Sequence, residues 1–517
     1  MGIMDKFSTK IRLNASISLI SQILKLLTQF ILQTLFVRNL GIEYLGVNGL
    51  FSNLLMFLSF TELGIGASFN FILYEPIIKK DYVQVNVIIR LFRKIYTYIG
   101  ITILGLGFFI SIFLPSLVSG AENIVHLRGL FILFLISSAV TYFFTYYRTL
   151  LIANQESYLD SLNQLVFLLL RFVLQIIVLV IFKSYVLFLI IQIIINLSSN
   201  FAISYQAKKR FPYLNLKENA KLDNKILLEL KRNVIGSISS KIGLIAVTGT
   251  DNILISKFIS ISAVGYYANY SLVVSGVTSL LSQMISAITA TLGHFGISER
   301  DKLDKRYEVF MLYTYLSAVI TSFIAGMLII LFKPFIVLWL GSGYVLNQIT
   351  TIAIILSFVF AQFRPAQQMI AAYGLFWGYR YKSIVEAIVN VGVSFILVKF
   401  TSLGITGVLI GTILGNIVIN SWWDVCILFT GAFPKKSIKK YIFTFFKYVV
   451  SILFLVLINV IIRPYLLNFG GVFGFLILIV QAIAVQVVII IVAFCWSFDQ
   501  KVTLKKIEVM LENKLGR

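Results

Sequence analysis

"KKRFPYLNLKENAKLDNKILLELKRN", residues Lys208 to Asn233, is the longest polar stretch in a chain of 517 residues. On either side of it lie apolar runs, six before and eight after, each near the roughly 20 residues that a helix needs to cross the core of a bilayer. The chain is 59% hydrophobic and only 13% charged, with a mean hydropathy of +0.94, so it carries more apolar surface than one soluble core could bury. These features predict an all-α polytopic membrane protein. The second half of the polar insert, from the capping residue Asp223, reads as an amphipathic helix lying on the membrane surface.

Working outward, the spans are expected at 14–38, 46–74, 94–118, 128–152, 161–182, 184–206, 233–257, 262–294, 307–332, 346–376, 383–400, 403–430, 441–463 and 471–497. The basic start runs into the first span without a small-residue cleavage site, so that span is read as uncleaved. A net charge of +23 would suggest nucleic acid in a soluble protein, but here the position of the charges matters more than their sum. Thirty-one of the 44 Lys and Arg residues fall on the side of the amino terminus, seven on the other side and six within spans. By that asymmetry both termini are cytoplasmic. The five tryptophans fall near span ends, as an interfacial belt requires. The two cysteines, Cys426 and Cys495, have neither disulfide nor metal-site spacing.

The insert also separates two weakly similar halves. An offset of 219 residues pairs Asn14 with Asn233, Arg38 with Lys257, Ile42 with Ile261, Gly46 with Gly265 and Ser52 with Ser271. Six spans in each half give both copies one topology and an axis along the membrane normal. The expected organisation is an N-lobe over 1–207, a cytoplasmic linker over 208–232, a C-lobe over 233–432, and two added spans with a tail over 433–517. The two six-helix lobes would face each other across a central cavity.

Charged residues deep in spans are expensive and mark cavities or partners. The deepest are Lys25, Glu62, Arg171, Lys241, Asp251 and Arg364. Four cations against two acids suit an anionic, phosphate-bearing substrate, because guanidinium forks match phosphate and ammonium groups act as point charges. Lys25 with Glu62, and Lys241 with Asp251, could equally form interhelical ion pairs. Arg171 stands in a span with few other polar residues. Arg364 is the leading substrate contact: it lies among Gln362, Gln367 and Gln368, and Pro365 removes a backbone hydrogen bond where a hinge would form. Arg148, Glu386 and Asp424 lie nearer span ends, where snorkelling to the interface explains them. Glu62 and Asp251 are the carboxylates that a coupling H+ or Na+ would use. No metal and no other cofactor is expected.

Three segments carry a resemblance. "RNLGIEYLGVNGLFSNLLMFLSFTELGIGASFNFILYEP" (Arg38 to Pro76), "TDNILISKFISISAVGYYANYSLV" (Thr250 to Val273) and "GLFWGYRYKSIVEAIVNVGVSFILVKFTSLGITGVLIGTILGN" (Gly374 to Asn416) resemble the Wzx-type polysaccharide flippases. These belong to the multidrug/oligosaccharidyl-lipid/polysaccharide exporter superfamily. The resemblance extends over nearly the whole chain and is similar to the versions in Gram-positive capsule and exopolysaccharide clusters. It implies a fourteen-helix, two-lobed fold alternating between inward-open and outward-open forms. It further implies a substrate, an undecaprenyl-pyrophosphate-linked oligosaccharide repeat unit moved to the outer leaflet of the plasma membrane. Polymerase and chain-length proteins of the same pathway are the implied partners, together with the bilayer itself. Related flippases hold the pyrophosphate with cavity cations. That resemblance covers Glu62 and Asp251 but not Lys25, Lys241 or Arg171, which rest on depth alone.

A multidrug exporter of the same superfamily has a similar outline, but would favour a more acidic interior for cationic drugs. A membrane polymerase or glycosyltransferase should carry a sizeable outside loop or clustered acids and histidines. The sequence therefore favours a transporter over an enzyme.

Overall fold

A computed structural model describes residues 3–59, 65–119, 124–154, 156–216, 249–298, 301–375, 378, 381–466 and 470–494. Among these residues every regular element is helical. Eleven helical stretches are long and apolar enough to cross a membrane, and each overlaps one expected span. Of the remaining three, residues 262–294 fall within one long helix, Ile261–Ser298. The other two, at 46–74 and 233–257, run partly or mostly through residues outside those described, as do Glu62, Lys241 and the surface helix expected from Asp223. The chain is a multi-pass, all-α membrane protein.

It divides into two compact units, Met1–Leu272 and Val273–Arg517. The first contains α1 (Ile3–Leu40), α2 (Ile42–Leu58), α3 (Ile65–Ile78), α4 (Tyr82–Leu117), α5 (Leu127–Tyr142), α6 (Thr145–Ala153), α7 (Ser157–Ile177) and α8 (Tyr185–Arg210). Its packed centre is aromatic: Phe69 of α3 meets Phe92 of α4 at 4.2 Å between ring centroids. Phe92 in turn meets Tyr96 at 4.3 Å, and Tyr147, Leu150 and Ile203 close the cluster from α6 and α8. Ring pairs at this spacing add to what area burial alone contributes. The outer face of α4 presents Phe108, Phe109, Ile112 and Phe113 to the surroundings, as a lipid-facing helix must.

A close crossing in this unit joins the two copies of the sequence repeat. A Cβ on Gly46 of α2 would strike the carbonyl oxygen of Ile261, at the start of α9 (Ile261–Ser298), and a Cβ on Gly265 would strike the carbonyl oxygen of Ile42. Both pairings are exchanged by the 219-residue offset. The crossing is therefore its own counterpart under the repeat, and glycine at both positions lets the backbones touch. Next to it, Ser119 donates its backbone N–H to Ser256 O at 3.1 Å and accepts from Ile261 N at 2.9 Å. Lys257 donates through Nζ to Ser116 O.

The second unit contains most of α9, then α10 (Leu303–Trp339), α11 (Gln348–Gln362), α12 (Pro365–Tyr373), α13 (Lys382–Phe400), α14 (Ile405–Gly415), α15 (Ser421–Gly431), α16 (Ile438–Ile462) and α17 (Gly471–Phe494). Its core stacks Phe310 of α10 on Tyr441 of α16 at 5.0 Å, with Met369, Ile370, Leu428 and Phe429 around them. Two of its spans are interrupted. A π-helical turn, Asn416–Asn420, joins α14 to α15. Between α11 and α12 the chain leaves helical geometry at Arg364 (φ −130°, ψ 64°), and Pro365 becomes the first residue of α12. Proline suits that position, since its missing N–H is one that a helix start leaves unpaired in any case.

Candidate functional site

Helices α1, α5, α6, α7 and α8 line a cavity of about 500 Å³. Periodicity explains why α7 lines it. Ser161, Gln164, Leu168 and Arg171 recur at helical spacing and face the cavity, while Leu162, Val166, Leu170 and Val173 on the opposite side are exposed. The polar stripe that marks a cavity wall and the apolar stripe that faces lipid are thus two sides of one helix. Ser21, Gln22 and Lys25 come from α1, Thr145 and Arg148 from α6, and Asn196, Ser199 and Asn200 from α8.

Three cations line this space, and they differ in what holds them. Arg148 forms an ion pair with Asp160 of α7. It also donates to Ser199 Oγ at 3.1 Å and to Asn200 Oδ1 at 3.2 Å. Asp160 further accepts from Gln164 Nε2 at 2.9 Å, and Ser199 donates to Asn163 Oδ1 at 2.8 Å. Arg148 therefore turns into the wall of the cavity and does not snorkel outward. Lys25 and Arg171 have no carboxylate partner among the described residues. With Asp160 offset by Arg148, the described residues lining the cavity carry an excess of two positive charges. Such an excess inside apolar helices is costly in the empty protein and is relieved by an anionic ligand.

In the second unit the charges are arranged differently. Asp424 of α15 lies between Lys382 Nζ at 2.5 Å and Arg364 Nη2 at 3.3 Å. Lys382 and Asp424 are each 2% exposed. Glu386, one turn along α13 from Lys382, accepts from Asn420 Nδ2 at 2.8 Å. Among the described residues two cations stand with two carboxylates, so these four groups balance. It borders a cavity of about 380 Å³ whose walls include Phe360, Phe363, Trp422 and Phe445. Asp424 is enclosed, not reaching for an interface.

Of the residues singled out in the sequence, the structure thus brings Lys25 and Arg171 into one cavity, adds Arg148, and places Arg364 and Pro365 in the second unit at the break between α11 and α12. Asp251 is buried in the helical stretch 249–258 and is not among the residues lining the Lys25–Arg171 cavity. Sequence reasoning alone misses Asp160 and Lys382. For the first, the helical recurrence of Asp160, Ser161, Gln164 and Arg171 is the signal that could have found it. For Lys382, next to a polar segment, no such pattern exists. Among the described residues no group of three or more His, Cys, Asp or Glu could hold a metal.

The fold is shared with solved transporters. The lipid II flippase MurJ, in an inward closed conformation, is similar at a TM-score of 0.63 and 16% identity, over 93% of this chain and 98% of that one. A multidrug resistance MATE family transporter of the MOP superfamily, inward-facing, gives 0.59 and 17%, over 80% of this chain and 96% of that one. A MOP superfamily transporter from Pyrococcus furiosus, described as having a binding pocket of reverse polarity that suggests a different function, gives 0.50 and 16%, over 83% and 96%. At these identities the likeness is one of fold. No family model matches the sequence, and no curated protein matches it.

Proposed function

We propose that the chain is a flippase that moves an undecaprenyl-pyrophosphate-linked oligosaccharide from the cytoplasmic to the outer leaflet of the plasma membrane, by alternating access, for capsule or exopolysaccharide synthesis. The observation that carries this reading is the pair Lys25 and Arg171: two cations in one membrane-embedded cavity, unmatched by acids among the described residues, beside an Arg148 that the carboxylate of Asp160 already engages. A pyrophosphate supplies the missing negative charge. Arg171 grips it through a planar fork and Lys25 as a point charge. The hydroxyl and amide side chains of Ser21, Gln22, Thr145, Gln164 and Asn196 around the cations are hydrogen-bonding groups suited to sugar hydroxyls. A cationic drug would be repelled by the same surface.

Support for a lipid-borne substrate comes from the fold shared with a lipid II flippase. In this reading the protein is a carrier, not an enzyme, and Glu62 and Asp251 remain the carboxylates through which H+ or Na+ would couple to transport. Arg364 takes part only if Asp424 releases it, and Pro365 marks where the span bends when it does. The test is complementation of a strain lacking its repeat-unit flippase, at matched membrane levels. Wild type restores surface polysaccharide, Lys25→Ala with Arg171→Ala does not, and Lys25→Arg does. Restoration by the double alanine variant would sink the proposal.

A further inference from the structure

A second cationic cavity lies in the second unit, apart from the site just described. It occupies about 520 Å³ between the last turns of α10, the 3-10 turn Arg463–Tyr465 after α16, and the start of α17. The charged residues that line it are Lys333 and Arg463. The sequence has no Asp or Glu between Glu308 and Glu386, nor between Asp424 and Asp499. The segments that build this cavity therefore hold no acid, and its lining side chains carry a net positive charge. Gly470 and Gly471 enter α17 with φ of +70° and +65° and open space where a Cβ would stand. The amino-terminal end of a 24-residue helix therefore borders the cavity at Gly470 and Gly471, and such an end adds attraction for an anion.

An apolar space adjoins the cavity. A neighbouring space of about 310 Å³ shares Phe475 with it and is lined only by apolar side chains, among them Phe323, Met327, Leu331 and Phe335. Phe335 packs against Phe475 at 6.0 Å and against Trp339 at 5.5 Å. Aromatic residues gathered at a helix end are what a membrane–water boundary selects. Two cations and a helix amino terminus at one end, and an apolar slot running along α10 from the other, have the outline of an amphiphile with an anionic head.

We infer that this pair of cavities binds an anionic glycerophospholipid of the bilayer. Its phosphodiester lies between Lys333, Arg463 and the start of α17, and an acyl chain passes Phe475 along α10. The lipid is a resident ligand and not the cargo, whose site is the Lys25–Arg171 cavity.

The test is native mass spectrometry of the full-length protein released from mixed phosphatidylglycerol and phosphatidylcholine vesicles. Wild type is expected to retain phosphatidylglycerol in preference to phosphatidylcholine. The pair Lys333→Ala with Arg463→Ala should lower that preference about tenfold or more, in line with the contribution of each basic residue to binding of anionic lipid. Lys333→Arg, which keeps the charge, and Lys25→Ala with Arg171→Ala, which alter the other cavity, should leave it unchanged; Lys333→Arg also reports whether the site tolerates replacement. Equal retention of the two lipids by wild type would overturn the inference, as would an unaltered preference in the Lys333–Arg463 variant. Displacement of phosphatidylglycerol by excess undecaprenyl pyrophosphate would overturn it too, because the pocket would then belong to the cargo.

Discussion

The Lys25–Arg171 cavity of the first unit and the Arg364–Asp424–Lys382 cluster of the second both put arginine among apolar helices, yet they are built to opposite ends. In that cluster Arg364 and Lys382 share Asp424, and Lys382 and Asp424 are each 2% exposed. In the first, among the described residues, one of three cations is matched by a carboxylate and two are not, in a cavity of about 500 Å³. A charge within a membrane helix is therefore not by itself a sign of a binding site. The excess of one sign over the other, in a space that a ligand can enter, is the sign.

That contrast fixes what removal of each group should do. Asp424→Ala would leave two enclosed cations without their shared partner, and breaking a buried pair in this way costs about 3–5 kcal/mol. A large drop in the temperature at which the purified protein stays monodisperse is expected, and a small drop would mean that the cluster is wetter than its geometry implies. Lys25→Ala or Arg171→Ala should do the reverse. Stability should hold or improve as like charges are thinned, while affinity for a pyrophosphate lipid falls by about 1.5–3 kcal/mol for each charge-assisted hydrogen bond removed. Titration of labelled undecaprenyl pyrophosphate into the detergent-solubilised protein would read the affinity, and the same thermal assay the stability.

Asp160→Asn sharpens the comparison from the other side. It frees Arg148, so stability should fall by about 1–3 kcal/mol, while pyrophosphate affinity rises because the cavity gains one net positive charge. A fall in affinity would show that Asp160 positions Arg148 and does not compete for it. Glu386→Gln is the mildest change. It keeps an acceptor for Asn420 and removes only the charge, so a loss of about 0.5–1.5 kcal/mol in stability and no effect on binding are expected from the same two assays.

Much of the architecture can be read from the sequence because lipid imposes a simple rule of length and hydropathy. Each of the eleven stretches long enough to cross overlaps an expected span, and the 219-residue offset places Gly46 and Gly265 in a crossing that the structure contains. The interruption at Arg364 is visible through Pro365. The one at Phe143 and Phe144, between α5 and α6, is not, because no proline or glycine stands there and tertiary packing decides it. Within the site, depth alone finds Lys25 and Arg171 but says nothing of who faces whom. From sequence, Arg148 and Asp424 read as snorkelling because they stand near span ends. What places them inward is a partner on another helix, and a single sequence holds no direct sign of such a pairing.

The most direct test of the account is the affinity of undecaprenyl pyrophosphate for three forms of the purified full-length protein: wild type, Lys25→Ala with Arg171→Ala, and Arg364→Ala. A loss of about a hundredfold or more is expected for the first-unit pair and a change of less than about threefold for Arg364→Ala, whose aspartate keeps Lys382 as its partner. Full binding by the first-unit pair, with binding abolished in Arg364→Ala, would contradict this expectation and move the anion site to the second unit.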